Sequence, residues 1–319
     1  MLTFQKRIGV IMNYFASLLN SLPGTVSQGM LWGIMAIGLY ITFRIINISD
    51  LTVDGSLATG GAVCVMLIRA GVNTWIALLC AFLVGMICGF VTGLLHTKCG
   101  IPAILSGILT QLALYSVNLR IMENKANQPI SVDKYNLLVS QRYVRELSLK
   151  NPLILLVLFI GILIAFLYWF FGTEKGSSIR ATGANLNMAK AQGINTEANI
   201  NLSLMLSNGL VALSGALLAQ FQGASDVSMG RGAIVIGLAA IIIGEVLFSK
   251  IFINFALKLL SVVIGAIIYY FVLQIILLMG LNTNDLKLFS ALIVAIFLSV
   301  PHFKEKLFNK PNKEVREDA

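Results

Sequence analysis

Long apolar runs separated by short polar stretches dominate this sequence. A helix needs about 20 apolar residues to cross the hydrocarbon core of a bilayer. Two runs, Leu57–Ile68 and Ala233–Leu247, are too short to span it at about 1.5 Å per residue. Seven others approach the required length: Gln28–Ile46, Thr74–Leu95, Ile101–Asn118, Pro152–Phe171, Leu202–Gln222, Phe255–Leu278 and Leu286–Val300. The pattern predicts an all-α polytopic membrane protein with about nine transmembrane helices, eight to ten being possible.

Each short run follows a polar stretch that contains glycine, Ser49–Ser56 in one case and Ser225–Gly232 in the other. Irregular backbone at membrane depth is tolerated only where protein or a cavity surrounds it. We therefore predict two broken helices whose N-termini begin inside the protein.

The two broken helices resemble each other in sequence. Ser49–Val53 aligns with Ser225–Met229 at an offset of 176 residues, and the same offset carries Gly89 onto Gly265. An odd number of crossings between two copies inverts the second copy, and the apolar runs give five. The sequence thus predicts an inverted repeat of the kind found in many transporters.

The expected organisation is a single permease domain, residues 1–319. Residues 1–24 carry an apolar stripe that suits an interfacial helix, with a tenth short span as the alternative. The first half covers residues 25–171, a polar insert covers 172–201, the second half covers 202–301, and a basic tail covers 302–319.

Composition supports a membrane location. Hydrophobic residues form 57% of the chain, charged residues 12%, and the mean hydropathy is +0.87, values that argue against a soluble protein. The net charge of +9 lies in loops and the tail, so it predicts contact with anionic lipid headgroups rather than nucleic acid. No phosphate-binding GxxxxGK[ST] motif occurs, so ATP is not expected to bind this chain. The four cysteines read as apolar packing residues and no metal site is expected.

Polar side chains within the membrane are costly and are therefore candidates for function. Carboxylates could meet an ammonium group, and helix N-termini could meet a carboxylate, as a zwitterionic amino acid requires. The alternative is that the aspartates and serines only cap the short helices. The candidate pathway residues are Asp50, Thr52, Asp54, Ser56, Ser225, Asp226 and Ser228. Glu245 is expected to form an ion pair with Lys258.

The insert Gly172–Asn201 is far longer than a linker requires, and its second half predicts a compact helix. Asn185 can cap its start, and Gly193 stands where a left-handed C-terminal cap belongs. A small helix with alanines on its surface can fit a groove on another protein.

Four motifs carry a family resemblance: "GSSIRATGANLNMAKAQGI" in the insert, "ISDLTVDGSLATGGA", "IPAILSGILTQLALYSVNLRIM" and "MGRGAIVIGLAAIIIGEVLF". They resemble permeases of ATP-binding-cassette (ABC) importers of the branched-chain amino acid and ribose superfamily. The nearest subgroup is the single-permease importers assigned to tryptophan or tyrosine. The resemblance implies that the insert and tail face the cytoplasm of a bacterium. It also implies an ATPase-coupling surface made by Arg180, Ala181, Thr182, Gly183, Asn185, Ala189 and Gly193.

The same resemblance implies a homodimer that works with two ATPase subunits and an extracytoplasmic substrate-binding protein. The chain itself would be neither an enzyme nor the carrier of a cofactor, since the partner subunit would bind ATP. Two alternatives stay open at this stage. One is a secondary transporter, which would need no coupling helix and would carry an ion-coupling carboxylate. The other is an ABC permease for a nucleoside or a sugar.

Overall fold

The computed structural model describes residues 2–144, 151–248, 251–278, 285, 288–297 and 299. It confirms an all-α polytopic fold, whose helices are α1 (Leu2–Tyr40), α2 (Val53–Arg69), α3 (Thr74–Thr97), α4 (Ala103–Ile121), α5 (Pro152–Gly172), α6 (Glu174–Ala184), α7 (Leu186–Ala191), α8 (Thr196–Gln222), α9 (Ala233–Phe248), α10 (Phe255–Leu278) and α11 (Leu288–Phe297). A π-helical turn, Ile41–Ile45, follows α1. The described part of the chain also has two short strands, β1 (Asn127–Pro129) and β2 (Ala224–Asp226).

Six helices of the described part are long and apolar enough to cross a membrane: Ser17–Ile45, α3, α4, α5, α8 and α10. α2 and α9 are short, as predicted, with 17 and 16 residues. The described part of the last predicted run, α11, is also short. The predicted boundary at residue 24, between an interfacial helix and the first half, falls within a continuous helix. This helix is α1, and it also contains Pro23. The position of residues 1–24 relative to the membrane stays a prediction.

Helices α1 and α8 form the centre of the molecule. The most apolar window of each is 83% and 89% buried, against 28% for α4 and 22% for α5. The other long helices expose large apolar side chains such as Leu79, Leu112 and Leu158. Side chains of this kind are stable on the outer surface only against lipid or another subunit.

The two halves of the chain exchange partners across this centre. α1 packs against α9 and α10 of the second half, whereas α8 packs against α2 and α3 of the first half. α2 also packs on α3 as α9 packs on α10. A pseudo-two-fold relation that matches α1 with α8, α2 with α9 and α3 with α10 accounts for all three pairings.

The short helices run in opposite directions from a common starting level. At their starts, the Asp54 carboxylate accepts a hydrogen bond from the backbone N–H of Gly232. At its far end α2 reaches β1, where Arg69 donates to Gln128, while α9 ends where Glu245 pairs with Arg44. These two ends are separated by the length of α8, about 40 Å at 1.5 Å per residue. This geometry supports the inverted repeat.

Glycines allow α3 to approach α8 closely. A methyl group at Gly85 or Gly89 would overlap the backbone of Asn208 or Leu204. The four-residue spacing of these glycines puts them on one face of the helix, the pattern that permits close packing in membranes. Cys64 and Cys88 are buried, as the sequence suggested, whereas Cys99 in the turn after α3 is exposed.

The ladder between β1 and β2 is a feature that the sequence does not predict. The strands pair antiparallel with Gln128 opposite Ser225, so they join the loop after α4 to the second polar stretch. Gln128 is buried and donates to the Met122 carbonyl. We refer below to the end of the molecule that carries β1 and β2 as the ladder end, and to the end that carries α6 and α7 as the insert end.

Candidate translocation and coupling sites

The first polar stretch folds around a sealed carboxylate. Asp50 is only 1% exposed, and one of its oxygens accepts the Thr52 backbone N–H at 2.9 Å. The other oxygen accepts the Asn208 amide of α8 at 2.6 Å. Asn208 in turn accepts the Ser56 hydroxyl at 2.6 Å. Asp50 therefore joins the start of α2 to the middle of α8, and each of its oxygens has a donor.

A chain of hydroxyls extends from the same place into α3 and α4. Thr52 and Thr92 lie 2.7 Å apart at their hydroxyl oxygens, and Thr92 donates to Thr110 at 3.0 Å. All three side chains are buried. Buried polar groups in a membrane protein need partners because hydrocarbon offers none. Thr52 and Ser56 thus belong to a packed polar core around Asp50.

Asp54 caps a short helix, but this helix is α9 of the second repeat and not α2, to which Asp54 belongs. It lies in the first turn of α2, and its two oxygens accept the backbone N–H groups of Gly232 and Ile234 at 2.9 and 3.0 Å. These N–H groups belong to the start of α9, where no earlier turn supplies an acceptor. The capping therefore runs from the first repeat to the second, and it ties α2 to α9.

The second polar stretch repeats the local geometry of the first. An Asp226 oxygen accepts the Ser228 backbone N–H at 2.7 Å, two residues ahead, as Asp50 does with Thr52. The Ser228 hydroxyl donates to the same oxygen at 2.5 Å. Ser225 is buried beside Gly61 of α2, whereas Asp226 is partly exposed and Ser228 exposed.

The predicted pathway residues therefore fall into separate groups. Asp50, Thr52 and Ser56 form one, Asp54 bridges to α9, and Ser225, Asp226 and Ser228 lie along β2 and the turn after it. Among the described residues, no hydrogen bond connects the Asp50 group with the Asp226 group. A substrate-contacting role for these residues stays a prediction.

A cavity that the sequence did not point to lies beside the start of α9. It has a volume of about 460 Å³ and lies among α1, α9, α10 and α11. Its lining includes the aromatic side chains Trp32, Tyr269 and Tyr270 and the polar side chains Gln28, Arg231, Gln274 and Ser290. The lining residues are scattered over the whole chain, so no local motif could have revealed them.

Trp32 has an unusual position in this cavity. Its side chain is buried, and its Nε1–H has no hydrogen-bond partner among the described residues. Leaving such a donor unpaired costs about 1–3 kcal/mol. The described part of the chain has one other residue in this state, Asn118 near the end of α4.

The ion pair predicted for Glu245 forms with a different partner. Glu245 of α9 pairs with Arg44 in the π-helical turn rather than with Lys258. Lys258 and Arg44 instead line a cavity of about 440 Å³ at the insert end. The prediction chose a lysine near the start of the next span, whereas the exchanged packing of α1 and α9 brings Arg44 to Glu245.

The polar insert is helical throughout most of its length. The predicted compact helix is α7, where Asn185 accepts the Met188 N–H at 3.0 Å and Gly193 has a φ of +75°. The preceding segment, α6, was not predicted as a helix. Thr173 caps its start by accepting the Gly176 N–H.

Some of the residues assigned to a coupling surface face inward instead. Arg180, Ala181, Asn185 and Gly193 are exposed and Gly183 is partly exposed. Thr182 and Ala189 are buried, at 2% and 3% exposure. Thr182 is within 2.9 Å of the Asn199 amide, which holds α6 against α8. Placing Thr182 and Ala189 on the exposed surface was therefore wrong.

Two side chains that the sequence reading missed form the exposed apolar surface of α7. Leu186 is 41% exposed and Met188 is 63% exposed. The sequence of α7 did not indicate which side chains face solvent, because alanine is small and is found on buried and exposed faces alike. The choice between Met188 and Ala189 as the exposed residue was therefore open. An exposed apolar pair on a six-residue helix is a feature that fits contact with a partner.

The insert touches the backbone that leads into the first polar stretch. A methyl group at Gly183 would overlap the carbonyl of Ile45, so α6 and the π-helical turn are in direct contact. Ile45 is followed within a few residues by Asp50. A displacement of α6 therefore has a short route to the start of α2.

An inverted repeat of broken helices is the architecture of many membrane transporters. The family described as the permease component of branched-chain amino acid transport systems matches residues 21–301. The chain belongs to this family, whose members are permeases of ABC importers, and it is a multi-pass protein of the bacterial cell membrane.

Curated relatives agree with this family. The tyrosine transport system permease protein of Clostridioides difficile (strain R20291) is 38% identical over 88% of this chain and 91% of its own length. The autoinducer 2 import system permease protein LsrC of Yersinia pestis (strain Pestoides F) is 30% identical over 77% of this chain and 67% of its own.

A solved structure shares the fold. PsaBC from Streptococcus pneumoniae, in complex with Fab, has a TM-score of 0.52 and 15% sequence identity, and the match covers 94% of this chain and all of that one. At this identity the likeness concerns the fold alone.

Proposed function

We propose that the chain is the membrane-spanning subunit of an ATP-driven importer for an aromatic amino acid. It would act as a homodimer with two ATPase subunits at the insert end and a substrate-binding protein at the ladder end. The substrate class is supported by the relative named as a tyrosine transport permease, which matches along most of both chains. The tail and insert would then lie in the cytoplasm.

The observation that carries the ATPase assignment is the exposed apolar surface of α7. Met188 and Leu186 project from a helix that is closed at its start by Asn185 and anchored by the buried Ala189. A short, fixed helix with apolar side chains outward loses little conformational entropy when it enters a groove. Closure of two ATPases on ATP would push this helix inward.

The push would travel through α6 to the π-helical turn and the first polar stretch. α6 contacts Ile45, and Asn199 holds α6 to the start of α8 by hydrogen bonds to Ser178 and Thr182. α8 carries Asn208, which binds Asp50 at the start of α2. The insert is thus connected to both repeats by direct contacts, which is what alternating access driven from the cytoplasm requires.

The bonding of the membrane carboxylates favours this function over secondary transport. An ion-coupling carboxylate exchanges its partner for a proton or cation during transport. Asp50 and Asp54 each accept two donors from the protein, and Glu245 is ion-paired with Arg44. In the described conformation, these contacts hold helices together, which supports a structural role for the three carboxylates.

The experiment that tests the function measures both docking and import. The chain is reconstituted in proteoliposomes with its cognate ATPase and binding protein, and ATP-dependent uptake of labelled L-tyrosine is compared with that of a nucleoside and a pentose. We expect saturable uptake of tyrosine, competed by tryptophan or phenylalanine. Uptake of only the nucleoside or the sugar would refute the substrate class.

Docking is tested by placing a charge on the exposed apolar surface of α7. Met188→Asp puts a carboxylate into the proposed groove and should weaken ATPase binding at least about tenfold, the cost of a central interface residue. Asn187→Asp is the matched control, since Asn187 is an exposed neighbour on the same helix. Capture of the ATPase by Met188→Asp at the control yield would refute the coupling assignment.

A further inference from the structure

The loop after α4, residues 122–144, covers part of the second polar stretch at the ladder end. Its strand β1 pairs with β2, so that Asn127 lies opposite Asp226 and Gln128 opposite the buried Ser225. We infer that β1 is a gate, which closes the second polar stretch to the ladder end in the described conformation and separates from β2 when substrate passes. The inference rests on the proposed function for the passage of substrate from the ladder end.

The ladder between β1 and β2 depends on few hydrogen bonds. Each strand has three residues. Beyond the strands, the Val227 N–H donates to the Ala126 carbonyl at 3.0 Å, and the Ile130 N–H donates to the Gly223 carbonyl at 2.9 Å. A two-stranded ladder is by itself at best marginally stable in water. Separation of β1 from β2 therefore requires no helix to unfold.

The Gln128 side chain holds the closed gate against α2. It is buried, its amide oxygen accepts a hydrogen bond from Arg69 at the end of α2, and its amide nitrogen donates to the Met122 carbonyl at 2.8 Å. A buried amide that loses such partners must find others or remain unpaired at a cost. The contact between Gln128 and Arg69 therefore favours the closed position of β1, and we refer to it as the latch.

The turn between α4 and β1 has the backbone conformation expected of a hinge. Glu123 and Asn124 have φ values of +58° and +60°, in the left-handed region that side chains disfavour. Residues held in this region cluster at switch segments, where the surrounding structure maintains them. Both residues are exposed, so the turn can change conformation without disturbing packed side chains. We place the hinge of the gate at this turn.

The later part of the same loop is fixed to α3 and α8. The Thr74 hydroxyl at the start of α3 donates to the Asn136 carbonyl at 2.6 Å. The Leu138 N–H donates at 3.1 Å to the amide oxygen of Gln220 near the end of α8, and the Val139 side chain is buried. Movement of the gate is therefore confined to the segment between the hinge and this anchor.

A small apolar cluster lies against β2 and is separate from the main core. It consists of the buried residues Ala62 of α2, Met122 and Val227, with Leu119 and Ile121 packed against it. Burial of apolar surface excludes water and favours the closed arrangement. Because this cluster is small and separate, opening it would leave the main core of the protein in place.

A disulfide across the ladder tests whether β1 must move. The hydrogen bonds on either side make Asn127 and Asp226 a non-hydrogen-bonded pair. Such pairs have Cα atoms about 4.5 Å apart, within the range of about 4.4–6.8 Å that a disulfide spans. The double variant Asn127→Cys with Asp226→Cys is made in a background without the native cysteines, and a maleimide mass shift confirms complete crosslinking.

The crosslinked chain is assayed in the complete importer. We expect oxidation to lower import at least about tenfold, because an S–S bond of about 2 Å holds β1 on β2, and reduction to restore it. Each single cysteine variant is a matched control and should import equally before and after oxidation. Capture of the ATPase by the oxidised double variant checks that the chain is folded and still docks its partner.

Thiol labelling tests the latch without a transport assay. Ser225→Cys places a thiol at a buried position of β2, in the full-length chain in lipid nanodiscs. Its reaction with a membrane-impermeant reagent should be at least about tenfold faster in Gln128→Ala and in Arg69→Gln, because each change removes a hydrogen bond to a charged group. Ser214→Cys is the matched control, since Ser214 is buried in α8 and donates to the Leu31 carbonyl. Its slow reaction should not change.

The outcomes separate the gate from the proposed function. Equal import before and after reduction of the fully crosslinked chain would overturn the gate, and so would equal Ser225→Cys labelling in the native background and in both latch variants. Normal tyrosine import by the crosslinked chain would do so while leaving the proposed function intact. Faster Ser225→Cys labelling on addition of binding protein, ATPase and ATP, in a system that imports no amino acid, would instead support the gate and overturn the proposed substrate class.

Discussion

The hydrogen bonds that Asp54 makes to α9 predict a large and specific loss of stability when that carboxylate is removed. Its two oxygens accept the Gly232 and Ile234 N–H groups at 2.9 and 3.0 Å. Bonds to charged groups contribute about 1.5–3 kcal/mol each, and loss of a helix cap costs about 0.5–2 kcal/mol. Water from the adjoining cavity can replace part of the lost hydrogen bonding to the Gly232 and Ile234 N–H groups. We expect Asp54→Ala to lower the free energy of unfolding by about 2–4 kcal/mol.

The asparagine variant should fall between alanine and the native chain. Asp54→Asn keeps one acceptor oxygen but presents an NH₂ group to the second N–H, and it removes the charge that complements the helix dipole. The expected loss is about 1–2 kcal/mol. Asp226→Ala is the matched control, because Asp226 accepts hydrogen bonds within its own turn and is partly exposed.

Thermal unfolding in detergent at a fixed scan rate measures the difference. At about 2 °C per kcal/mol for a chain of this size, Asp54→Ala should lower the midpoint by about 4–8 °C and Asp226→Ala by no more than about 2 °C. Equal midpoints for the two alanine variants would refute the idea that Asp54 joins the repeats. Preserved stability of Asp54→Ala would do so as well.

Two further predictions concern the first polar stretch and the orientation. Asp50→Asn should lower the free energy of unfolding by about 1–2 kcal/mol, because its new NH₂ group would face the Asn208 amide that now donates to Asp50. The KM of import should stay within about twofold of the native value. A raised KM at native stability would instead put Asp50 in contact with substrate. In a background without native cysteines, Ala191→Cys should react with a membrane-impermeant thiol reagent only in opened cells, and Asn136→Cys in intact cells. Labelling in the opposite order would invert the proposed orientation.

Features with a local code could be predicted from the sequence. The apolar runs give the spans, and the Asn185 cap and Gly193 turn give α7, because each depends on residues within one or two turns. The repeat was visible because both polar stretches begin with a Ser-Asp pair and are followed by a short apolar run. The four-residue spacing of glycines on α3 is also a local pattern, and it is typical of close helix contacts in membranes.

Features that depend on distant parts of the chain could not be predicted. Asp54 binds N–H groups almost 180 residues away, and Glu245 finds Arg44 rather than Lys258. α6 has a polar sequence whose inward face shows only once α8 is in place. The inward direction of Ala189 and the cavity around Trp32 likewise follow from packing, which one-dimensional periodicity does not record.

The exchange of partners between the two halves has a consequence for biosynthesis. The glycine face of α3 is complementary to α8, so the first half inserts into the membrane with its groove unoccupied. About 115 residues separate Gly89 from Leu204, and at roughly 5–20 residues per second their translation takes on the order of 10 s. During that interval the groove is open to the translocon, to lipid or to an α3 from another nascent chain. The order of synthesis thus makes the arrival of α8 the step that commits the chain to its native pairing.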